Sequence, residues 1–169
     1  MPASVIGKSL NLGYPGNMSR NDPKTTIVNR PVGTGPVLFG VPVKLNPENT
    51  YDPLIGTDAA TTFAGIALRN VKQQTVYLTN EAGQYNKNEA CDVMTVGYVT
   101  VNANHSAALK AGGPVYAVFD STGKFLYFDV AAATTPNTST QITNAQWAQG
   151  GSPDANDVAE LALLTPAKA

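Results

Sequence analysis

The middle of the chain reads Val93-Met94-Thr95-Val96-Gly97-Tyr98-Val99-Thr100-Val101. β-Branched and aromatic residues favour extended backbone, so this stretch predicts a strand over residues 92–102. Side chains alternate between the two faces of a strand, which places Val93 and Val99 on one face and Met94 on the other. Both faces are largely apolar, and we therefore expect a central strand that the rest of the fold covers on both sides.

Shorter runs of the same residue types lie on either side of this stretch, and clusters of turn-forming residues separate them. They predict strands at residues 37–44, 62–69, 75–79, 115–119 and 124–130. Between the last two, Asp120-Ser121-Thr122-Gly123 predicts a hairpin in which Gly123 takes a positive φ.

The last part of the chain is ambiguous by composition. Ala, Glu and Leu favour a helix over residues 157–165, whereas the alternation of Leu161 and Leu163 fits a strand. We predict a strand that closes a sheet. The spacing of all these strands indicates an all-β fold, a single β-sandwich or barrel-like domain of jelly-roll or β-tulip type.

Residues 1–36 differ from the rest of the chain in their high density of proline and glycine clusters. Their proline and glycine clusters, including Gly13-Tyr14-Pro15-Gly16 and Gly33-Thr34-Gly35-Pro36, are too dense for a helix or a long strand. We expect an extended N-terminal arm over residues 1–36, pre-ordered for docking on a partner, and a β-rich domain over residues 37–169. The alternative is an arm that packs on its own domain.

Charge and cysteine content exclude several classes of protein. Only 14% of the residues are charged and the formal net charge is -1, which disfavours electrostatic binding to nucleic acid or to an anionic membrane. The single cysteine, Cys91, excludes an internal disulfide and a multi-cysteine metal site, and we expect it to be buried. Residues 1–10 lack the apolar run of a signal peptide, and no stretch approaches the roughly 18 apolar residues of a membrane span. We expect a protein that is made and kept in a cytoplasm.

The side chains offer little for catalysis. The single histidine, His105, lies in a polar run after a predicted strand, which favours a surface loop over a catalytic triad. A hydrolase that uses His105 is the enzymatic alternative. Asp154, Asn156, Asp157 and Glu160 form an oxygen-rich cluster, for which we favour turn and capping roles over a cation site. We predict no enzymatic activity, no cofactor and no bound metal.

Several short motifs occur in an order that is typical of one phage family. They are Gly13-Tyr14-Pro15-Gly16 with Ser19-Arg20, Gly40-Val41-Pro42-Val43, Phe63-Ala64-Gly65-Ile66-Ala67, Cys91-Asp92-Val93-Met94, Gly97-Tyr98-Val99-Thr100-Val101, Gly112-Gly113-Pro114-Val115-Tyr116 and Val158-Ala159-Glu160-Leu161. In these motifs the chain resembles, over nearly its whole length, the structural cement (capsid decoration) proteins of tailed-bacteriophage heads.

The resemblance implies a place in the virion. It implies a β-rich body that is assembled in the host bacterial cytoplasm, binds the outer capsid surface and joins neighbouring subunits of the major capsid protein. It also implies a small symmetric homo-oligomer, a dimer or a trimer, and it brings no catalytic residues. We predict that Tyr14, Arg20 and Arg30 of the arm contribute to the contacts with the capsid.

The sequence alone is also compatible with two other functions. The chain is also compatible with another virion β-domain, associated with a tail or a fibre. A carbohydrate-binding module would present aromatic residues such as Tyr77, Tyr85 and Trp147 on a loop surface. Trp147 is equally typical of a core residue and of an interface anchor, and the core is slightly favoured. We expect residues 131–140 and 150–157, which match no motif of the family, to be outward-facing loops.

Overall fold

The computed structural model describes residues 12–70 and 83–164, and strands dominate them. The thirteen strands found there are β1 (Met18–Arg20), β2 (Thr26–Pro31), β3 (Val37–Leu38), β4 (Pro42–Leu45), β5 (Tyr51–Pro53), β6 (Phe63–Ala67), β7 (Gln84–Tyr85), β8 (Ala90–Asn102), β9 (Tyr116–Phe119), β10 (Phe125–Asp129), β11 (Thr138–Gln141), β12 (Ala145–Trp147) and β13 (Val158–Leu163). A short 3₁₀ helix, Ala60–Thr62, precedes β6. Among the described helices none is long and apolar enough to cross a membrane.

The strands form three sheets, and every pairing between named strands is antiparallel. The eight-stranded sheet has the order β12-β13-β8-β6-β4-β5, and β1 and β2 also pair with β8. A three-stranded sheet, β10-β9-β11, packs against it, and β3 and β7 form a two-stranded sheet. The predicted all-β, sandwich-like fold is confirmed.

Strand β8 is the central strand of the eight-stranded sheet, and it bends sharply. Leu68 N donates a hydrogen bond of 2.8 Å to Asp92 O, and Arg69 N donates one of 2.7 Å to Gly16 O. Gly16 N in turn donates one of 2.7 Å to Thr100 O. A straight strand would separate Asp92 from Thr100 by about 26 Å, far more than this short chain of contacts can bridge. The two halves of β8 therefore fold towards each other.

The bend divides the apolar residues of β8 between two cores. Val93 packs in a cluster with Cys91, whereas Met94 packs in a larger cluster with Val99 and Val101. Because Val93 and Met94 are both fully buried, the predicted coverage of both faces is confirmed. The predicted assignment of Val93 and Val99 to one face is wrong.

The physical reason for this difference lies at Gly97. Its φ is +132°, a conformation that residues with a Cβ rarely adopt, and it interrupts the regular alternation of side chains. The facing strand β2 shows a register shift between Thr26 and Ile27, opposite the same part of β8. Periodicity alone assumes a regular strand and does not include such a break.

The hairpin and the C-terminal strand are confirmed. Asp120 N donates a hydrogen bond of 2.9 Å to Lys124 O, and Gly123 has a φ of +84°. Strand β13 pairs with the C-terminal half of β8 over its six residues. The predicted strand at 37–44 is divided into β3 and β4, and the predicted strand at 75–79 lies outside the described residues.

The described part of the predicted arm, residues 12–36, is extended, and two segments of it are strands. Strand β1 pairs with the C-terminal half of β8, and β2 pairs with the N-terminal half. These pairings satisfy backbone groups of β8 that an unpaired edge would leave without partners. Residues 12–36 thus pack on their own domain, and residues 1–11 lie outside the described part of the chain.

Candidate interaction surface

Residues 14–17 are fixed to the C-terminal half of β8 through Thr100. The Thr100 hydroxyl donates a hydrogen bond of 2.7 Å to Tyr14 O, and Thr100 N donates one of 2.9 Å to Asn17 O. Thr100 is buried, so these bonds are shielded from water. The N-terminal segment therefore follows a defined path over this face of the sheet.

Arg20 is held by a buried carboxylate on the neighbouring strand. Glu160 of β13 lies opposite Thr100 and is only 5% exposed. Its Oε1 accepts hydrogen bonds of 2.7 Å from both Ser19 Oγ and Arg20 Nε, and Arg20 Nη2 contacts Oε2. The guanidinium also lies 4.8 Å from the centre of the Tyr98 ring. The hydrogen bond and the charge of Glu160 raise the pKa of Arg20.

Tyr14 projects from the surface and is paired with Arg69. The tyrosine is 62% exposed, and the Arg69 guanidinium lies 4.3 Å from the centre of its ring. The bond from Arg69 N to Gly16 O fixes the backbone beneath this pair. The side chain of Arg20 is 56% exposed in spite of its bonds to Glu160. We call Tyr14, Arg20 and Arg69 the N-terminal patch.

A turn at Asp154 anchors the start of the described N-terminal segment. Asp154 Oδ2 accepts a hydrogen bond of 2.9 Å from Leu12 N, and Oδ1 accepts bonds of 2.9 Å from the N–H groups of Asn156 and Val158. Burial raises the pKa of Asp154, but these backbone donors outweigh burial and the pKa is lowered. The predicted turn role of Asp154 is confirmed.

The same turn borders a cleft beside the N-terminal patch. Its volume is about 370 Å³, and Tyr14 and Pro15 face Asn156 and Val158 across it. Glu160, which belonged to the same sequence cluster as Asp154, is bonded to Arg20 instead. In the described part of the chain, no group of three His, Cys, Asp or Glu residues is arranged to hold a metal ion.

Arg30 lies apart from the other two predicted contact residues. It is on β2 opposite Cys91, and its guanidinium lies 6.0 Å from the centre of the Tyr51 ring. The structure thus brings Tyr14 and Arg20 to one face of the sheet and places Arg30 on the other half of β8. Arg69 could not be predicted as part of this surface from the sequence, because its pairing with Tyr14 arises only in the folded chain.

The other residues singled out from the sequence have structural positions. Trp147 and Cys91 are fully buried, and Tyr85 is buried with its hydroxyl bonded to Leu68 O at 2.8 Å. Burial raises the pKa of Tyr85. The hypothesis that Tyr85 and Trp147 form a glycan-binding surface is therefore wrong, because the packing of two hydrophobic cores removes both rings from solvent. Tyr77 lies outside the described residues.

His105 lies on the surface, as predicted. Its side chain is 80% exposed, and Nδ1 lies 2.5 Å from Asp157 Oδ1. Residues 104–106 form part of the loop that follows β8. The contact joins this loop to the turn before β13.

Comparisons with known proteins identify a matching family and a solved structure with the same fold. The family described as "Structural cement protein (E217 gp24/Pam3 gp6)" matches residues 1–164. A chain in the solved structure "The capsid of Myoviridae Phage XM1" shares the fold, with a TM-score of 0.67 and 18% sequence identity over 95% of each chain. A comparison with curated proteins gave no match. The family match covers almost the whole chain, and the protein accordingly belongs to the structural cement protein family, as a capsid-stabilising decoration protein of a phage virion.

Proposed function

We propose that this protein binds the outer surface of a tailed-phage head through residues 1–36, and that its partner is the major capsid protein. The N-terminal patch is the observation that carries this assignment. Tyr14 and Arg20 were predicted to make capsid contacts, and both present exposed side chains on one face of the sheet. Arg69 extends the same surface.

The patch has the chemistry of an interface centre. Tyrosine and arginine are enriched among the residues that dominate binding free energies at protein interfaces. Each of these side chains is already restrained, Tyr14 by Arg69 and Arg20 by Glu160 and Tyr98. Restrained side chains lose less conformational entropy on binding, so the contact is stronger for the same buried area.

The cleft next to Tyr14 adds a concave surface to the positively charged arginines of the patch. A capsid side chain that enters between Pro15 and Asn156 would contact the face of the sheet next to the exposed arginines. We assign Arg30 a second contact on the same segment, on the other half of β8. Two contact points on one segment suit a protein that spans a junction between capsid subunits.

We further propose that the protein acts as a dimer or a trimer. Several copies of a modest contact, held on one oligomer, resist separation of capsid subunits far better than one copy does. No single contact then needs high affinity. A shell under pressure from its packaged genome is held at many junctions at once.

The experiment is co-sedimentation of purified protein with expanded heads that lack it. We expect saturable binding, and we expect Tyr14→Ala combined with Arg69→Ala to weaken it at least about tenfold, which corresponds to about 1.4 kcal/mol. Lys110→Ala is the matched control, because Lys110 is exposed and lies on a different loop. Equal binding by the double variant, with its fold intact by circular dichroism, would contradict the assignment of the patch.

A further inference from the structure

An apolar groove opens on the side of the protein that carries β3. Its volume is about 300 Å³, and the residues that line it include Leu38, Ile55, and Gly123 and Phe125 of the β9–β10 hairpin. Leu38 and Ile55 are 45% and 41% exposed. Exposed apolar residues that line one concave surface are typical of a docking site, whereas single exposed apolar residues are not.

The groove has an open strand edge beside it. Strand β3 pairs with β7 on one side, and no other described strand pairs with it. Phe39 N donates a hydrogen bond of 3.1 Å to Gly83 O, so the neighbouring chain is on that same side. An extended segment can add to the other edge of β3 and place alternate side chains in the groove.

We propose that the occupant of this groove is the N-terminal segment of the same chain, residues 1–11. This segment reads Met1-Pro2-Ala3-Ser4-Val5-Ile6-Gly7-Lys8-Ser9-Leu10-Asn11. It carries a central apolar pair, Val5 and Ile6, and no acidic residue. Two branched side chains suit an apolar groove of this volume.

The length of the segment is sufficient. Leu12, its anchor, is three residues from Pro15, and a Cβ on Gly40 would lie only 2.5 Å from the Cβ of Pro15. Leu38 is two residues from Gly40. The groove therefore begins within about 20 Å of Leu12, and Ile6, six residues before Leu12, reaches about 20 Å when the segment is extended.

Tethering decides between the chain's own segment and that of a second copy. A segment on a short tether has an effective concentration in the millimolar range at a site within its reach. The segment of a separate, unassembled copy at micromolar concentration cannot compete with it, and the disulfide test below distinguishes it from the segment of a copy in the same oligomer. The docked segment covers the apolar groove and keeps its exposed side chains from non-specific contacts with other proteins.

The first test is a double-mutant cycle in thermal unfolding of the free protein. One change deletes residues 1–11, and the other is Leu38→Ser with Ile55→Ser, at positions whose exposure makes a large effect on the domain itself unexpected. We expect each change to lower Tm by about 4 °C, and the combination to lower it no further than either alone. Leu164→Ser is the control, since Leu164 is 52% exposed elsewhere and should add independently to the deletion. Additive effects of the deletion and the groove variant, or an unchanged Tm after the deletion, would overturn the proposal.

The second test fixes the occupant covalently. Ile6→Cys with Ile55→Cys should form a disulfide within the monomer under mild oxidation, detected by peptide mass spectrometry, because the native Cys91 is fully buried. Ile6→Cys with Leu164→Cys is the control and should form little. A disulfide that links residues 6 and 55 only in covalent dimers would show that a second copy fills the groove and would reject the proposal. Neither test involves the capsid, so failure here leaves the proposed function unaffected.

Discussion

Arg20 of β1 and Glu160 of β13 form an ion pair across 140 residues of sequence, with Arg20 Nε 2.7 Å from Glu160 Oε1. The two ends of the pair differ in environment, because the arginine side chain is 56% exposed and the glutamate side chain is 6% exposed. Loss of the arginine would leave a buried carboxylate with only Ser19 as a described side-chain donor. This relationship ties the proposed capsid contact to the stability of the sheet.

We expect Arg20→Ala to destabilise the protein by about 1 to 3 kcal/mol, because it removes the countercharge of a buried carboxylate. Arg20→Ala with Glu160→Gln should recover part of the loss, since the neutral amide needs no countercharge. Urea unfolding of the wild type, both single variants and the double variant measures the coupling. A double variant that is as unstable as the sum of the two single variants would contradict the coupling.

A second prediction concerns the bend in β8. Gly97→Ala introduces a Cβ at a φ of +132°, within about 3 Å of Thr25 Oγ1 and Met94 Sδ. We expect a loss of about 2 to 3 kcal/mol of unfolding free energy. Gly35→Ala is the control, because a Cβ there meets nothing within 4 Å and its φ is not in the positive region. Equal stability of the two variants would show that the bend does not require glycine.

The turn at Asp154 predicts a pH dependence. Its pKa is lower in the folded protein than in the unfolded chain, where it is about 3.9. The carboxylate therefore stabilises the fold above that unfolded value, and the contribution is lost as the pH falls through the folded pKa. We expect Asp154→Asn to be less stable than the wild type at pH 7, and the difference to shrink and then disappear as the pH falls through the lowered folded pKa of Asp154. Chemical unfolding over this range tests the expectation; a difference that stays constant with pH would assign the effect to packing.

The same turn should control the start of the N-terminal segment. Asp154→Asn weakens the acceptor for Leu12 N, whose bond to Asp154 Oδ2 is 2.9 Å. We expect faster hydrogen exchange at the Leu12 amide, with no change at the amide of Val118, a residue of the separate three-stranded sheet. Unchanged exchange at Leu12 would mean that this bond does not hold the segment.

Local sequence was sufficient for much of the fold. The β-branched run at residues 93–101 identified the central strand, and Asp120 to Gly123 identified the hairpin, because both signals depend on neighbours in sequence. The face switch at Gly97 was not predictable from alternation, since it requires the backbone conformation of one residue. Proline and glycine predicted that residues 12–36 are extended, but they did not indicate that β1 and β2 pair with β8.

The interaction surface was predictable only in part. Tyr14 and Arg20 were named from the sequence, and the structure shows both side chains exposed on one sheet face. Arg69 reaches Tyr14 from a site 55 residues away, and no local pattern encodes such a contact. Glu160 offered a usable signal, because a single acid in the apolar run 158–163 requires a buried partner.

The stabilising role of the protein can be measured by the temperature at which expanded heads release their packaged genome. Heads that lack the protein are compared with heads saturated by it, and the number of bound copies is counted. If the protein stabilises the head, the release temperature rises with occupancy and levels off at a copy number set by capsid symmetry. Saturated heads that release their genome at the same temperature as bare heads would contradict a stabilising role for this protein.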